Sequence, residues 1–97
     1  MSMLRVQIKK AVFEAVKAAC PEVDVKLEDI ALEHPAVEEH GDYSTNIAMV
    51  LAKHVSQNPR ELAGNIVAEI KERLPKEISK IEVAGPGFIN FYLSPEF

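Results

Sequence analysis

The sequence is poor in cysteine and in long apolar runs. It has 97 residues, a single cysteine, Cys20, and no apolar segment near the roughly 20 residues that span a bilayer. One cysteine excludes a disulfide framework within the chain. The first ten residues, MSMLRVQIKK, are amphipathic and lack the apolar core and cleavage site of a secretory signal. We therefore expect a protein of the reducing cytoplasm that makes no use of a membrane.

Positive charge is also scarce: the chain has 11 Lys and Arg residues but 15 Asp and Glu residues, so its net charge is -4. Non-specific affinity for nucleic acid depends on an excess of Lys and Arg, so a surface that coats phosphates in general is excluded. Any contact with nucleic acid must be local and shape-specific. On charge alone, an acidic domain that contacts only protein is the favoured alternative.

The composition, 47% hydrophobic and 27% charged, is that of one globular domain with a small core. The chain shows no internal repeat, low-complexity tract or interdomain linker. We expect residues 1–97 to form a single domain.

Apolar residues recur at helical spacing in three segments. The first covers 4–19 and ends before Pro21, the second covers 47–55, and the third covers 62–74 and ends at Pro75. The second helix is predicted to begin near Ser44, with Asp42 or Ser44 as its cap. The third is predicted to begin after an Asn58 cap, with Pro59 in its first turn.

Alternating apolar residues predict strands elsewhere. Val23, Val25 and Leu27 alternate with charged residues and indicate a strand within 23–32, and two further strands are predicted around 80–83 and 88–93 on either side of the turn AGPG. The order helix, strand, helix, helix, strand, strand predicts an α+β two-layer sandwich, with helices on one face of a small antiparallel sheet.

The final strand has two different faces because side chains alternate with a period of two. Ile89, Phe91 and Leu93 form a core face, whereas Phe88, Asn90 and Tyr92 point the other way and share the uncovered face with Lys80 and Glu82. Aromatic side chains on an open sheet stack unpaired RNA bases, and an amide reads base edges. The alternative is that Phe88 and Tyr92 pack under a loop or the first helix.

No catalytic constellation is predicted. His34, Glu38, Glu39, His40 and Asp42 lie close in sequence, but their spacing matches no zinc motif, and a solvated acidic loop is the favoured interpretation over a metal site. Cys20 has no partner at catalytic spacing and is predicted to be a small buried residue. The GPG turn lacks the pattern of a phosphate loop.

Three segments together resemble the N-terminal domain of bacterial-type arginyl-tRNA synthetases. They are HGDYSTNIAMVLAK, NPRELAGNIVAEI and IEVAGPGFINFYLS, in this order and roughly this spacing. The resemblance runs over nearly the whole chain. It implies a non-catalytic domain that precedes a catalytic domain and recognises the outer corner of arginine tRNA, where the D-loop meets the T-loop.

The resemblance also implies roles for residues of the final strand. An aromatic residue stacks on an exposed D-loop base and an amide two residues further on reads its edge, and these positions match Phe88 and Asn90. Tyr92 shares their face. The elbow-contacting position three residues before the aromatic, sometimes an amide in the family, is Gly85 here, which removes one side-chain hydrogen bond.

The family's HIGH-like and KMSK-like motifs are missing from these 97 residues. We therefore expect a fragment in which ATP binding, arginine binding and aminoacyl transfer do not occur, and which needs no cofactor or metal. The resemblance implies ATP and magnesium for the full-length ligase. The implied partners are arginine tRNA and the catalytic domain of the same chain.

Three functions are thus left open by the sequence. The first is a tRNA-elbow reader belonging to a ligase, and the second is a protein-interaction domain that uses the same open sheet face. The third, least favoured, is a small metal-dependent hydrolase built on His34 and His40.

Overall fold

The computed structural model describes residues 3–35 and 41–94. It contains the helices α1 (Met3–Ala19), α2 (Ile47–Val55) and α3 (Pro59–Ile70) and the strands β1 (Tyr43–Thr45), β2 (Ile78–Ala84) and β3 (Phe88–Leu93). The strands form one antiparallel sheet in the order β1-β3-β2, so the last strand lies in the middle. The predicted α+β fold is confirmed. Within the described ranges, no helix is long and apolar enough to cross a membrane.

The core forms where α3 lies against the other elements, since it contacts α1, α2 and both long strands. Leu62, Ile66 and Ile70 of α3 are buried at the spacing predicted for one helix face. From the sheet, Ile89 and Phe91 of β3 enter the same core and are fully buried. The core face of the sheet is therefore the one that carries these two residues.

The N-terminus of α3 is capped as predicted. The Asn58 side-chain oxygen accepts hydrogen bonds from the backbone N–H groups of Arg60 at 2.8 Å and Glu61 at 3.3 Å. Pro59 occupies the first turn, where it has no N–H to leave unpaired.

The predicted start of the second helix is wrong. Helix α2 begins at Ile47, whose N–H donates to the hydroxyl oxygen of Thr45 at 3.3 Å. Ser44 lies in β1, and the Asp42 carboxylate accepts a hydrogen bond from the N–H of Leu93 at 2.8 Å. Both residues predicted to cap α2 thus belong to the sheet or bond to it. The apolar stripe of α2 gives no sign of this.

The predicted strand within 23–32 is also wrong. A 3-10 turn, Leu27–Asp29, interrupts this segment, because the Asp29 carboxylate accepts a hydrogen bond from the N–H of Lys26 at 3.0 Å and closes the chain on itself. Val25, Ile30 and Leu32 are nevertheless buried. Of the three alternating residues only Val25 is buried, and Leu27 is exposed on the turn, so the alternation did not mark a strand.

The third strand of the sheet is β1, which the sequence did not predict. Tyr43 and Thr45 point into the core, and Ser44 points to the open face. On the far side of β1, Glu33 makes an isolated antiparallel bridge to Ser44, with N–H···O distances of 2.9 and 2.8 Å. The chain around Glu33 thus covers the edge of the sheet.

Substitution of Ile66 tests the assigned face of α3. Ile66→Ala should lower the free energy of unfolding by about 2–5 kcal/mol, because it leaves a cavity where a fully buried side chain was. The matched control is Asn65→Ala, one residue earlier and exposed, which should change it by less than about 0.5 kcal/mol. Chemical denaturation measures both, and equal effects would contradict this helical register.

Candidate nucleic-acid interface

The open face of the sheet carries the aromatic residues that the sequence predicted there. Phe88 is 38% exposed, whereas Ile89 and Phe91 on the opposite face are fully buried. Tyr92 is half-buried, and its ring lies beneath the Lys80 ammonium at 4.9 Å from the ring centre. The prediction that Phe88 and Tyr92 point away from the helices is confirmed.

Asn90 lies on the same face but is only 2% exposed, which the sequence did not predict. Its neighbours across the sheet are Ser44 on β1 and Glu82 on β2. The Ser44 hydroxyl donates to Asn90 Oδ1 at 2.9 Å, and the Asn90 side chain also hydrogen-bonds Tyr92. Alternation predicted the direction of the amide, but its burial depends on neighbours contributed by two other strands.

The Tyr92 hydroxyl connects this network to β2. It donates to Glu82 Oε1 at 2.7 Å, and Lys80 approaches the other carboxylate oxygen of Glu82 at 3.4 Å. The hydrogen bond from Tyr92, followed by the hydrogen bond and the charge of Lys80, lowers the pKa of Glu82. The same hydrogen bond raises the pKa of Tyr92, because the phenol must give up its proton beside a carboxylate.

The turn between β2 and β3 determines the position of Phe88. Gly85 has φ +56° and Gly87 has φ +137°, values that L side chains rarely adopt. A Cβ on Gly87 would lie 3.1 Å from Pro59, so α3 packs directly on the turn. Arg60, in the first turn of α3, donates from its guanidinium to the carbonyl oxygen of Gly85. Arg60 and Lys80 therefore bring positive charge to opposite ends of the open face.

A small recess lies beside the Phe88 ring. It is lined by Ala31, Glu33, Ser44, Asn46 and Phe88. Sequence reasoning missed the polar members of this set, because they come together only through the pairing of β1 with β3 and of Glu33 with Ser44. No local pattern in the sequence signals that pairing.

The residues of the histidine-rich segment have structural contacts where they are described. His34 Nδ1 is 3.0 Å from the Asp42 carbonyl oxygen, and its ring centre lies 4.6 Å from that of Tyr43. Glu38, Glu39 and His40 lie outside the described residues. Within 3–35 and 41–94, no three His, Cys, Asp or Glu side chains form a group that could hold a metal ion.

Cys20 is buried as predicted. Burial, with a smaller effect from the negative charge of Glu22, raises the pKa of its thiol. A thiol with a raised pKa is a poor nucleophile at neutral pH, which agrees with a packing role.

The bond between Tyr92 and Glu82 should make stability depend on pH in two windows. Because the folded-state pKa of Glu82 is lowered, its contribution is present at neutral pH and is lost as the pH falls through that pKa. The pKa of Tyr92 is raised, so its contribution is present at neutral pH and is lost as the pH rises through the folded-state value, above about pH 10. Tyr92→Phe should lower the melting temperature most near pH 7 and less at both extremes. A difference that is constant across pH would contradict this hydrogen bond.

Comparison with known proteins places the chain in a family. The sequence model described as the arginyl tRNA synthetase N terminal domain matches residues 4–93. The arginine–tRNA ligase of Listeria welshimeri is 54% identical over 86 residues, which are 89% of this chain and 15% of that protein. The chain thus spans about 15% of the length of that curated relative.

Two solved structures contain the same fold. The arginyl-tRNA synthetase of Thermus thermophilus superposes with a TM-score of 0.70 at 26% identity, over 98% of this chain and 14% of that one. The enzyme of Plasmodium falciparum gives a TM-score of 0.76 at 19% identity, over 92% of this chain and 16% of that one, and shows the same fold. The chain therefore belongs to the family of arginyl-tRNA synthetase N-terminal domains.

Proposed function

We propose that this domain is the non-catalytic tRNA-binding part of an arginine–tRNA ligase and that it recognises the outer corner of arginine tRNA, where the D-loop meets the T-loop. Its membership of the family and its similarity to arginine–tRNA ligases support the ligase. The exposed Phe88 ring on an open sheet face supports the contact with an unpaired base.

The chemistry of the ligase lies, in this proposal, in a catalytic domain of the same longer chain. That domain attaches arginine to tRNA in the cytoplasm with ATP and magnesium. The present residues carry neither of the family's catalytic motifs, so no catalytic residue and no cofactor is assigned to them. Their contribution is to position the tRNA.

Phe88 carries the proposal. An apolar ring that is 38% exposed loses contact with water when a base stacks on it, and such a stack contributes on the order of 1–3 kcal/mol. Gly85 keeps the space beside the ring open, since a Cβ there would lie 3.7 Å from Phe88 Cδ2 and a longer side chain would compete with the base. Tyr92 and Asn90 form the polar floor next to it.

The amide of Asn90 is assigned to the edge of the same base. Its Oδ1 accepts a hydrogen bond from Ser44 in the absence of tRNA, but an amide oxygen has a second lone pair and can accept from a base at the same time. A hydrogen bond to a base replaces one to water, so the net gain in affinity is small. The effect of Asn90 should therefore be on the choice of base more than on the strength of binding.

Electrostatics limit the affinity of this contact. Lys80 lies on the open face but is already paired with Glu82, and Arg60 contacts the turn at one end of that face. In a domain with a net charge of -4, two cations neutralise few phosphates.

A binding titration across salt concentrations tests this electrostatic picture. The isolated domain should bind arginine tRNA in the micromolar range or more weakly, and log Kd should change shallowly with log salt, with a slope of about 2 or less. Arg60→Gln should reduce the slope by up to about 1. Tight binding with a steep slope would contradict a local, shape-reading contact.

Substitution of Phe88 tests the stacking contact. In the ligase that carries this domain, Phe88→Ala should lower kcat/KM for arginylation by about 5- to 150-fold, whichever base is placed at the contacted D-loop position, because stacking tolerates any base. The matched control is Leu27→Ala, an equally exposed apolar residue on the 3-10 turn, which should leave arginylation unchanged.

Phe91→Ala separates this role from folding. It removes a fully buried ring on the opposite face and should destabilise the domain by about 3–5 kcal/mol, whereas Phe88→Ala should not. If Phe88→Ala leaves arginylation of all tRNAs unchanged, the ring does not touch tRNA. A protein partner on the open face then becomes the better interpretation.

A further inference from the structure

A groove lies between helix α2 and the segment that connects α1 to the 3-10 turn. Residues within 22–29 form one of its walls, and residues within 47–54 form the other. Its volume is about 550 Å³. It shares no lining residue with the recess beside Phe88, so the groove is separate from the proposed contact with tRNA.

The groove has an apolar floor and an exposed apolar wall. Val25, Ile47 and Leu51 line it and are buried, with at most 7% of each residue exposed. Val50 lies one residue before Leu51 on α2 and is 44% exposed. An apolar side chain of a partner would remove this surface of Val50 from water, which favours association.

The rim of the groove is acidic. Glu22, Asp24 and Asp29 bring carboxylates to it, and no Lys or Arg is among the described residues that line it. The Asp29 carboxylate accepts a hydrogen bond from the N–H of Lys26. Glu22 and Asp24 are exposed, and within the described residues their carboxylates make no hydrogen bond or ion pair. These two carboxylates are therefore available to a cation, whereas the phosphates of a nucleic acid would be repelled.

We infer that the groove binds a cationic amphipathic helix of another protein. Apolar residues three and four positions apart on such a helix would contact Val50 and the buried floor, and Lys or Arg residues beside that stripe would reach Glu22 and Asp24. A volume of about 550 Å³ lies within the roughly 300–1,000 Å³ of binding clefts, so side chains enter while the helix backbone stays at the surface. A free polyamine would neutralise the carboxylates but would leave Val50 in water.

The probe that tests this inference is a synthetic Lys/Leu peptide of four helical turns, about 14 residues, with its leucines on one face. Fluorescence anisotropy measures its binding to the 97-residue chain, and amide chemical shifts locate the site. The peptide should bind with a Kd of about 100 µM or lower at low salt. A peptide of the same composition with its leucines spread around the helix should bind at least about 5-fold more weakly. Shift changes should centre on 22–29 and 47–54.

Val50→Ser tests the apolar wall. It removes apolar surface that the peptide covers and should raise Kd by about 5-fold. The matched control is Met3→Ser, because Met3 is 75% exposed at the start of α1 and does not line the groove. This control should leave Kd within about 2-fold of the wild-type value.

The double variant Glu22→Gln/Asp24→Asn tests the acidic rim. Each carboxylate forms at most one exposed ion pair with the peptide, so Kd should rise by about 3- to 10-fold at low salt and by less at about 0.5 M salt. Glu14→Gln/Glu72→Gln makes the same change of net charge on exposed residues outside the groove and should have little effect. Both double variants should melt at the wild-type temperature, since none of the four side chains is buried.

Several results would overturn the inference. They are the absence of saturable binding below about 1 mM, shift changes centred outside the groove, and equal binding of the rearranged peptide or of spermidine. In the ligase that carries this domain, the peptide should bind within about 3-fold of its affinity for the separate chain. If the ligase excludes the peptide, the rest of the ligase covers the groove and a separate partner is ruled out. None of these results bears on Phe88, so the proposed tRNA contact is tested independently.

Discussion

The arrangement of the domain depends on the pairing of β3 along both of its edges. Each residue in the middle of this strand has one neighbour on β1 and another on β2, as Phe91 has Tyr43 and Ile81. A shift of one residue would turn every side chain to the other face, and Phe91, fully buried in the core, prevents it. The same register that buries Phe91 turns Phe88, Asn90 and Tyr92 to the open face. The packing of the core thus orients the candidate site.

The open face is held together by hydrogen bonds instead of apolar packing. Burying the Asn90 amide without partners would be costly, and Ser44 and Tyr92 supply them. No buried side-chain nitrogen or oxygen in the described residues is left without a partner. The network links all three strands, because Ser44 belongs to β1, Asn90 and Tyr92 to β3, and Glu82 to β2. Next to these hydrogen-bonded polar side chains, the Phe88 ring is an exposed apolar surface.

The sequence predicted the elements whose signals are local. The stripe of α1, the Asn58 cap and the core face of β3 are contained in short stretches, and these predictions were confirmed. Helix α3 also forms as predicted but ends at Ile70, before the predicted end at Pro75. The strand within 23–32 was wrong because the turn closed by Asp29 competes with extension and leaves Leu27 exposed. Three residues of β1 are too few to give a periodic signal, and they form a strand because β3 is there to pair with. The burial of Asn90 and the recess beside Phe88 could not be predicted for the same reason, since both depend on that pairing.

The exposure of Phe88 follows from the way α3 meets the turn. Pro59 packs against Gly87, and a Cβ on Gly87 would lie only 3.1 Å from it. The backbone at Gly87 also has a positive φ, which glycine adopts easily. The next residue is Phe88, and the core-facing position after it is taken by Ile89. Ala84 on β2 and Ala31 beside the recess are small, so they leave the ring 38% exposed. The exposure of Phe88 is the consequence of the turn, the filled core and the polar side chains beside it. The exposed face of the ring can stack with an aromatic partner such as a base.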